Sequence, residues 1–257
     1  MDIQTILQEY NRFERIGESV PGCQKIQDNQ VVKIVSPGKH GSYINYFDLS
    51  SEQADIRIEQ EIEFFTRQNK GFEWKVYDTD TPSDMGERLV HHGFTAGERE
   101  SFMVFDIEKH HHRFSNYQHR CTKVTSADQI KDTMSIHPQV WGGDFSHQEQ
   151  ALIDQFTAEP GSVSIYNVYV DGKVVSSARI TFNGNSRFAG LWGGSTLQDY
   201  RGKGYYTDLL AARVLEAKQR GIKYLIIDAS DMSRPIVEKY GFEFVTYTTP
   251  YEFEAPY

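Results

Sequence analysis

The stretch Arg201-Gly-Lys-Gly204 combines residue types and a spacing that can do chemistry. Two glycines let the backbone approach a bulky group closely. Apolar residues at Tyr206, Leu210, Val214 and Ala217 follow at helical spacing, so the loop opens a helix from about residue 204. The unpaired N–H groups of a helix start favour an anion, and Arg201 and Lys203 add positive charge beside them. Together these residues form a cradle for a pyrophosphate. Two better-known phosphate loops are excluded. A Walker loop needs Gly-Lys-Ser/Thr after a longer spacing, and a dinucleotide fingerprint needs a third small residue where Thr207 stands.

The elements that must hold this loop are legible on both sides of it. Residues 162–170 alternate as a strand, Asp171-Gly172 turns the chain into 173–182, and Asn183-Gly184 turns it again into 187–197. That predicts a three-stranded antiparallel meander. Its third strand carries Gly193-Gly194, the mark of a bulge or of a close backbone approach. Past the helix, which closes at Gly221, Lys223-Tyr-Leu-Ile-Ile-Asp228 reads as a strand buried on both faces. A strand–helix–strand unit of this length is a right-handed crossover between parallel strands. A bulged strand beside a parallel neighbour can splay from it and leave a slot. Ala229-Ser230, a helix over 233–240, Gly241-Phe242 and a strand Glu243–Phe253 follow. Ahead of the meander lie a strand over 121–125, a helix capped by Ser126 or Asp128 and reaching 136, a loop over 137–146 and a helix over 147–158.

The N-terminal half has the same order of parts. An amphipathic helix spans 3–16, and strands Val31–Val35 and 43–47 follow. A helix capped by Ser50 or Ser51 runs to about residue 70 with Ile58, Ile62 and Phe65 on its apolar face. Then come strand Phe72–Tyr77, a helix over 82–92, Gly93-Phe94 and a strand over 100–107. Ser83-Asp84-Met85 precedes Gly93-Phe94 as Ser230-Asp231-Met232 precedes Gly241-Phe242, which predicts an internal repeat. Where the second copy has Arg-Gly-Lys-Gly, the first has Asp48-Leu49-Ser50-Ser51, so the first copy has lost the anion cradle. The expected domains are residues 1–112 and 113–257, with 108–120 a polar linker. Its His110-His111-His112 point in different directions and do not make a metal site.

Composition narrows the function. The 257 residues suit two domains, and 16 Phe with 15 Tyr are ample for cores. Residues 1–112 carry 20 acidic and 12 basic side chains, and residues 113–257 carry 16 and 15. A chain with net charge −9 lacks the basic face of a nucleic-acid binder. Cys23 and Cys121 have no metal or redox spacing and suit reduced thiols. The N-terminus has no basic region followed by an apolar run, and no stretch is long and apolar enough to cross a bilayer. The expectation is a cytoplasmic protein with no metal and no nucleic-acid or membrane partner.

The order of hairpin, glycine-bearing strand, Arg201-Gly-Lys-Gly204, long helix, apolar strand, Ser230-x-x-Ser233, helix and Gly241-Phe242 resembles the GNAT superfamily of acyl-CoA-dependent N-acetyltransferases. The resemblance covers about residues 121–253, and the N-terminal half resembles a degenerate second copy, as in tandem members. The family pattern is Gln/Arg-x-x-Gly-x-Gly/Ala; here Asp199 departs at the first position and the loop glycines match. The resemblance implies a mixed α/β fold, α+β-like, with splayed parallel strands in the C-terminal half. It implies acetyl-CoA as cosubstrate, its pyrophosphate on Arg201, Gly202, Lys203, Gly204, Tyr205 and Tyr206. It implies a pantetheine arm paired with the backbone of Thr196 and Leu197, with Ser230 bonding the arm and Ser233 staying small to let it pass. Both serines suit helix caps equally well.

Acetyl transfer to an amine needs a neutral amine, a polarised thioester carbonyl and a route for the proton. The family often places a tyrosine four residues before Gly-Phe; Val237 stands there, and Tyr240 falls on another helix face. The strand over 187–197 carries no Asp or Glu. Asp144, His147, Glu149 and Tyr251 are candidates by their place in loops or helix starts that can line the slot, and Trp192 is a candidate wall of the acceptor pocket. The expected activity is transfer of an acetyl group to a primary amine of a small molecule. The alternative is an inactive acyl-CoA-binding regulatory or assembly protein.

Overall fold

The computed structural model describes residues 2–255. The chain opens with α1 (Ile3–Tyr10), which buries Ile6, Leu7 and Tyr10 and continues as one wider turn through Arg15. A short strand β1 (Gln24–Gln27) pairs antiparallel with β2 (Val31–Val35), and β2 with β3 (Ser42–Phe47). Helix α2 (Ser51–Thr66) then crosses over to β4 (Phe72–Tyr77). Strands β3 and β4 are parallel, in register through Ser42↔Phe72, Tyr43↔Glu73 and Ile44↔Trp74. Helix α3 (Met85–His91), the two-residue β5 (Thr95–Ala96) and β6 (Glu100–Asp106) complete this part.

The same sequence of parts returns after a helical stretch. α4 (Ile107–His110), β7 (Thr122–Lys123), α5 (Ala127–Met134), α6 (His137–Trp141) and α7 (Ser146–Ala158) lead into the meander β8 (Val163–Val170), β9 (Lys173–Phe182) and β10 (Phe188–Thr196). Helix α8 (Tyr205–Gln219) crosses over to β11 (Tyr224–Ala229). Strands β10 and β11 are parallel through Phe188↔Tyr224, Ala189↔Leu225 and Gly190↔Ile226. Each copy therefore joins its parallel strands over three residue pairs. α9 (Arg234–Tyr240) and β12 (Glu243–Phe253) end the chain.

The chain forms two compact units. The first holds Met1–Met103, Asp228–Glu238 and Glu243–Tyr257; the second holds Val104–Ile227 and Lys239–Phe242. In the first, β12 pairs antiparallel with β4 from Thr248↔Tyr77 to Phe253↔Phe72. Its core gathers Ile44 and Phe47 from β3, Ile58 and Phe65 from α2, Phe72 and Trp74 from β4, and Met85 and Leu89 from α3. In the second unit, one face of the meander packs Val163 and Ile165 against Ile130, Met134 and Leu152 of α5 and α7. α8 lies against β8, β9 and β10. It is buried almost all round: Leu209, Leu210, Ala211, Ala212, Val214 and Ala217 are buried, and so are the polar Asp208, Arg213 and Glu216. A single apolar stripe is therefore too narrow a description of this helix. Glu216 is satisfied inside by Lys123, Ser164, Tyr166 and Arg220 at 2.7 to 2.8 Å.

The polar segment 108–120 is more structured than a linker. Asp106 caps α4 by accepting from the Lys109 N–H at 3.3 Å, and a 3-10 turn follows over His111–Arg113. Phe114, 1% exposed, packs on Tyr240, and Arg113 donates to the Lys239 carbonyl. Among the described residues no group of histidine, cysteine and acidic side chains is arranged to hold a metal ion. Among the described residues no helix is long and apolar enough to cross a membrane.

Candidate functional site in the second unit

The loop before α8 is built by local backbone chemistry. Thr196 ends β10, and its hydroxyl is 2.7 Å from that of Ser176 on β9. Leu197 still bonds β9 through Val175, its N–H donating at 3.0 Å. One 3-10 turn over Gln198–Tyr200 then reverses the chain, with Tyr200 N–H donating to the Leu197 carbonyl. Arg201 folds back so that its Nε donates to the Thr196 carbonyl at 3.2 Å. Gly202 and Gly204 lie at φ +74° and +84°, a region that side chains rarely enter. A Cβ on Gly202 would meet nothing within 4 Å, so the loop's outer surface is open.

Gly204 caps α8 without a side-chain hydrogen bond, and its carbonyl takes the Asp208 N–H. The N–H groups of Tyr205, Tyr206 and Thr207 belong to the first helical turn, where no intrahelical acceptor exists. Arg201, Gly202, Lys203 and Gly204 are all exposed beside them. Exposed amides, a helix dipole and two basic side chains suit the diphosphate of coenzyme A.

Arg120 braces the loop from beneath, and sequence reasoning did not single it out. Its guanidinium donates to the carboxylate of Asp208 at 2.7 Å and to the Lys203 carbonyl at 3.0 Å, and stacks 4.6 Å from the Tyr205 ring centroid. Asp208 is buried, and Cys121 donates its thiol to the Asp208 carbonyl. Burial, reinforced by the Asp208 charge, pushes the Cys121 thiol up to about 12. The thiol is therefore a packing group and not a nucleophile at neutral pH.

Upstream of the loop, β10 carries a bulge. Trp192 faces Arg179 on β9, but the next paired residue is Ser195, opposite Ser177. Gly193 takes φ +61° to allow this. The β10–β11 register stops just before, at Gly190↔Ile226. Bulge and splay together leave residues 191–196 of β10 with an edge on which an extended chain can pair. Trp192 lies flat across Gly190 and donates to the Thr181 hydroxyl at 2.9 Å. Tyr206 reaches back from α8 to within 3.5 Å of where a Gly194 Cβ would stand.

Two ionisable side chains converge on the bulge. A Cβ on Gly193 would stand 2.6 Å from the Arg179 Nη1 and 3.6 Å from the His137 Cε1. His137 opens α6, and α6 is tied over the bulge by the Trp141 indole N–H, which donates to the Ser195 hydroxyl at 2.9 Å. Burial and the neighbouring Arg179 lower His137 to about 4, so it is neutral at physiological pH. Neither residue had a sequence signal. His137 lay in a stretch read as loop, and Arg179 was one basic residue in an alternating strand.

The remaining sequence candidates take other positions. Asp144 accepts from the N–H and hydroxyl of Ser146, the first residue of α7, at 2.9 and 3.1 Å, which holds its carboxyl below the usual range. His147 is exposed, and Glu149 is half-buried on α7 with its N–H on the Phe145 carbonyl. Tyr251 belongs to the first unit, where it lines a cleft of about 150 Å³ with Asp78, Asp80 and Glu87. Ser230 and Ser233 also belong to the first unit. Their hydroxyls are 3.2 Å apart, and the Ser233 N–H donates to the Ser230 carbonyl at 3.0 Å, the arrangement of a helix cap before α9. Tyr240 places its hydroxyl 2.6 Å from that of Thr207 in the first turn of α8.

Known proteins resemble the chain in family and fold. Residues 130–242 match the acetyltransferase (GNAT) family. A search of curated proteins found no match. Among solved structures, a GCN5-related N-acetyltransferase from Kribbella flavida aligns over 97% of this chain and 93% of its own, with a TM-score of 0.69 at 15% identity. A conserved protein of unknown function from Staphylococcus epidermidis aligns over 95% and 98%, with a TM-score of 0.70 at 14% identity. A tandem GNAT protein from the clavulanic acid biosynthesis pathway aligns over 100% and 89%, with a TM-score of 0.62 at 9% identity. Residues 130–242 thus form a domain of the GNAT acetyltransferase family, in a chain with the fold of the tandem GNAT proteins.

Proposed function

We propose that the chain transfers an acetyl group from acetyl-CoA to a primary amine of a small molecule. The observation that carries this reading is the succession of a bulged, half-unpaired strand and an open Gly202–Gly204 bend at the start of α8. Residues 201–206 hold the diphosphate by amide hydrogens and positive charge. The free edge of β10 pairs with the pantetheine arm, which delivers the thioester to the bulge. There the amine lone pair attacks the carbonyl carbon, the C–N bond forms and the C–S bond breaks. One amine proton is lost, and coenzyme A leaves as the thiol. An alkylamine with a pKa near about 10 must shed a proton before attack. Holding the amine against the thioester supplies much of the acceleration, because it converts an encounter into a unimolecular step.

Two measurements on the purified chain test this. Calorimetry with acetyl-CoA should show saturable binding. Thiol release in the presence of acetyl-CoA and a broad amine panel should show turnover of at least one member. Binding without turnover across the panel would favour an acyl-CoA-binding regulatory role. No binding at millimolar concentration would remove both readings.

A further inference from the structure

Arg179 is anomalous. It sits in the middle of β9, between Ala178 and Ile180, both of which are 2% exposed or less. Among the described residues no carboxylate, carbonyl or hydroxyl accepts from its guanidinium. Arg179 is half-buried, and the contrast with the two buried arginines is plain. Arg15 holds Asp80 through two nitrogens, at 2.7 and 2.8 Å. Arg213 donates to the carbonyls of Leu209 and Arg179 at 2.9 and 3.4 Å. The half-buried Arg179 guanidinium is still reached by water and is open to a ligand that can accept from it.

Its position shows where such a ligand would lie. Arg179 lies across from Trp192, against Gly193 of the bulge, and converges there with a neutral His137. Its neighbours on the pleat, Ile165 on β8 and Trp192 on β10, are apolar or already bonded. The charge is thus held rigidly on a β-strand, beside the strand edge at which the proposed transfer occurs. A planar fork of five N–H donors in an apolar wall is matched by an oxyanion and repelled by an ammonium.

Building on the proposed acetyl transfer, we infer that the acceptor amine carries an oxyanionic group, which Arg179 binds at the β10 bulge. The pairing neutralises the guanidinium as the acceptor enters, and it fixes the distance between the anion and the amine nitrogen. Acceptors that present a second ammonium to the same wall are excluded by like charge. The net acidity of the chain, −9, does not extend to this wall: residues 113–257 carry 16 acidic and 15 basic side chains.

The test uses the full chain with acetyl-CoA and four acceptors of one carbon skeleton: an ω-amino carboxylic acid, the aminoalkyl phosphate, the plain alkylamine and the diamine. Thiol release should favour one of the two anionic acceptors over both others, and the favoured one identifies carboxylate or phosphate. Arg179→Gln should lower kcat/KM for that acceptor by about a hundredfold, the loss expected on truncating one partner of a buried charge pair. It should leave the plain alkylamine within about threefold and leave the calorimetric affinity for acetyl-CoA unchanged. Preference for the diamine or the plain amine, or equal losses on all acceptors in Arg179→Gln, would each overturn the inference. Intact acetyl-CoA binding in those cases leaves the transferase reading standing, whereas absent binding in the unmodified chain removes both.

Discussion

Gly204 concentrates two constraints in one residue. Its φ of +84° disfavours any side chain, and a Cβ would stand 3.3 Å from the Arg120 Nη2. A non-glycine residue held in that region costs roughly 1–2 kcal/mol. The chain can absorb this, because the loop is exposed and outside the cores. Binding cannot absorb a carboxylate there. Gly204→Asp places a negative charge beside the phosphates and is expected to abolish calorimetric binding of acetyl-CoA while circular dichroism stays native. Unchanged affinity in the folded variant would count against the loop as the diphosphate site. His137 gives a second, pH-dependent expectation. Its folded pKa is depressed to about 4 from an ordinary 6.5 by burial and by Arg179. The unfolded chain therefore binds the proton first, and stability is full above pH 6.5 and lost as the pH falls toward 4. The loss is about 3 kcal/mol at most. His137→Gln should flatten that part of the melting curve between pH 6.5 and 4; an unaltered acid dip would show that the imbalance lies elsewhere.

The bulge on β10 and the start of α8 act as one element pair. The bulge removes one rung of the β9–β10 ladder, and Arg213 of α8 donates to the Arg179 carbonyl beside it at 3.4 Å. Gly193 permits both the turn of the chain and the close approach of Arg179, whose Nη1 leaves only 2.6 Å for a Cβ. Gly193→Ala is therefore expected to cost about 1–2 kcal/mol from backbone strain and to push Arg179 out of place. The measurements are a melting curve and kcat/KM for the preferred acceptor; a variant that kept both would place the bulge outside the active geometry. The strands of this region were legible because alternation and two Asp-Gly or Asn-Gly turns leave one register open. The paired glycines pointed to the bulge for the same reason. What escaped was anything whose signal is tertiary. β1, Gln24–Gln27, has one apolar residue in four and is a strand only because β2 accepts it. α6 is five residues long and is fixed by one indole bond to Ser195. Arg120, His137 and Arg179 stand 81, 64 and 22 positions before Arg201, so no spacing rule links them to the loop.

At the scale of the molecule, sequence halves and folded units do not coincide. Residues 1–112 and 113–257 are proposed as two copies of one pattern, and the matched three-pair parallel registers of β3–β4 and β10–β11 support that reading. Yet the first unit includes Asp228–Glu238 and Glu243–Tyr257 from the second half. β4 needs β12: its antiparallel partners run from Tyr77↔Thr248 to Phe72↔Phe253. Lys75 needs Asp228, whose side chain is 4% exposed and forms its ion pair. Arg234 adds a bond to the Ser101 hydroxyl at 3.2 Å. A piece ending at residue 112 would lose a sheet neighbour and leave the Lys75 ammonium without its carboxylate. Breaking a buried pair in this way costs about 3–5 kcal/mol, a large part of a domain's stability. Cutting between 112 and 113 should therefore give an N-terminal piece without a cooperative thermal transition or a near-ultraviolet tryptophan signal from Trp74. Mixing it with the 113–257 piece should restore both. A 1–112 piece that melts cooperatively on its own would show that the first copy folds without the strand and the carboxylate contributed by the second.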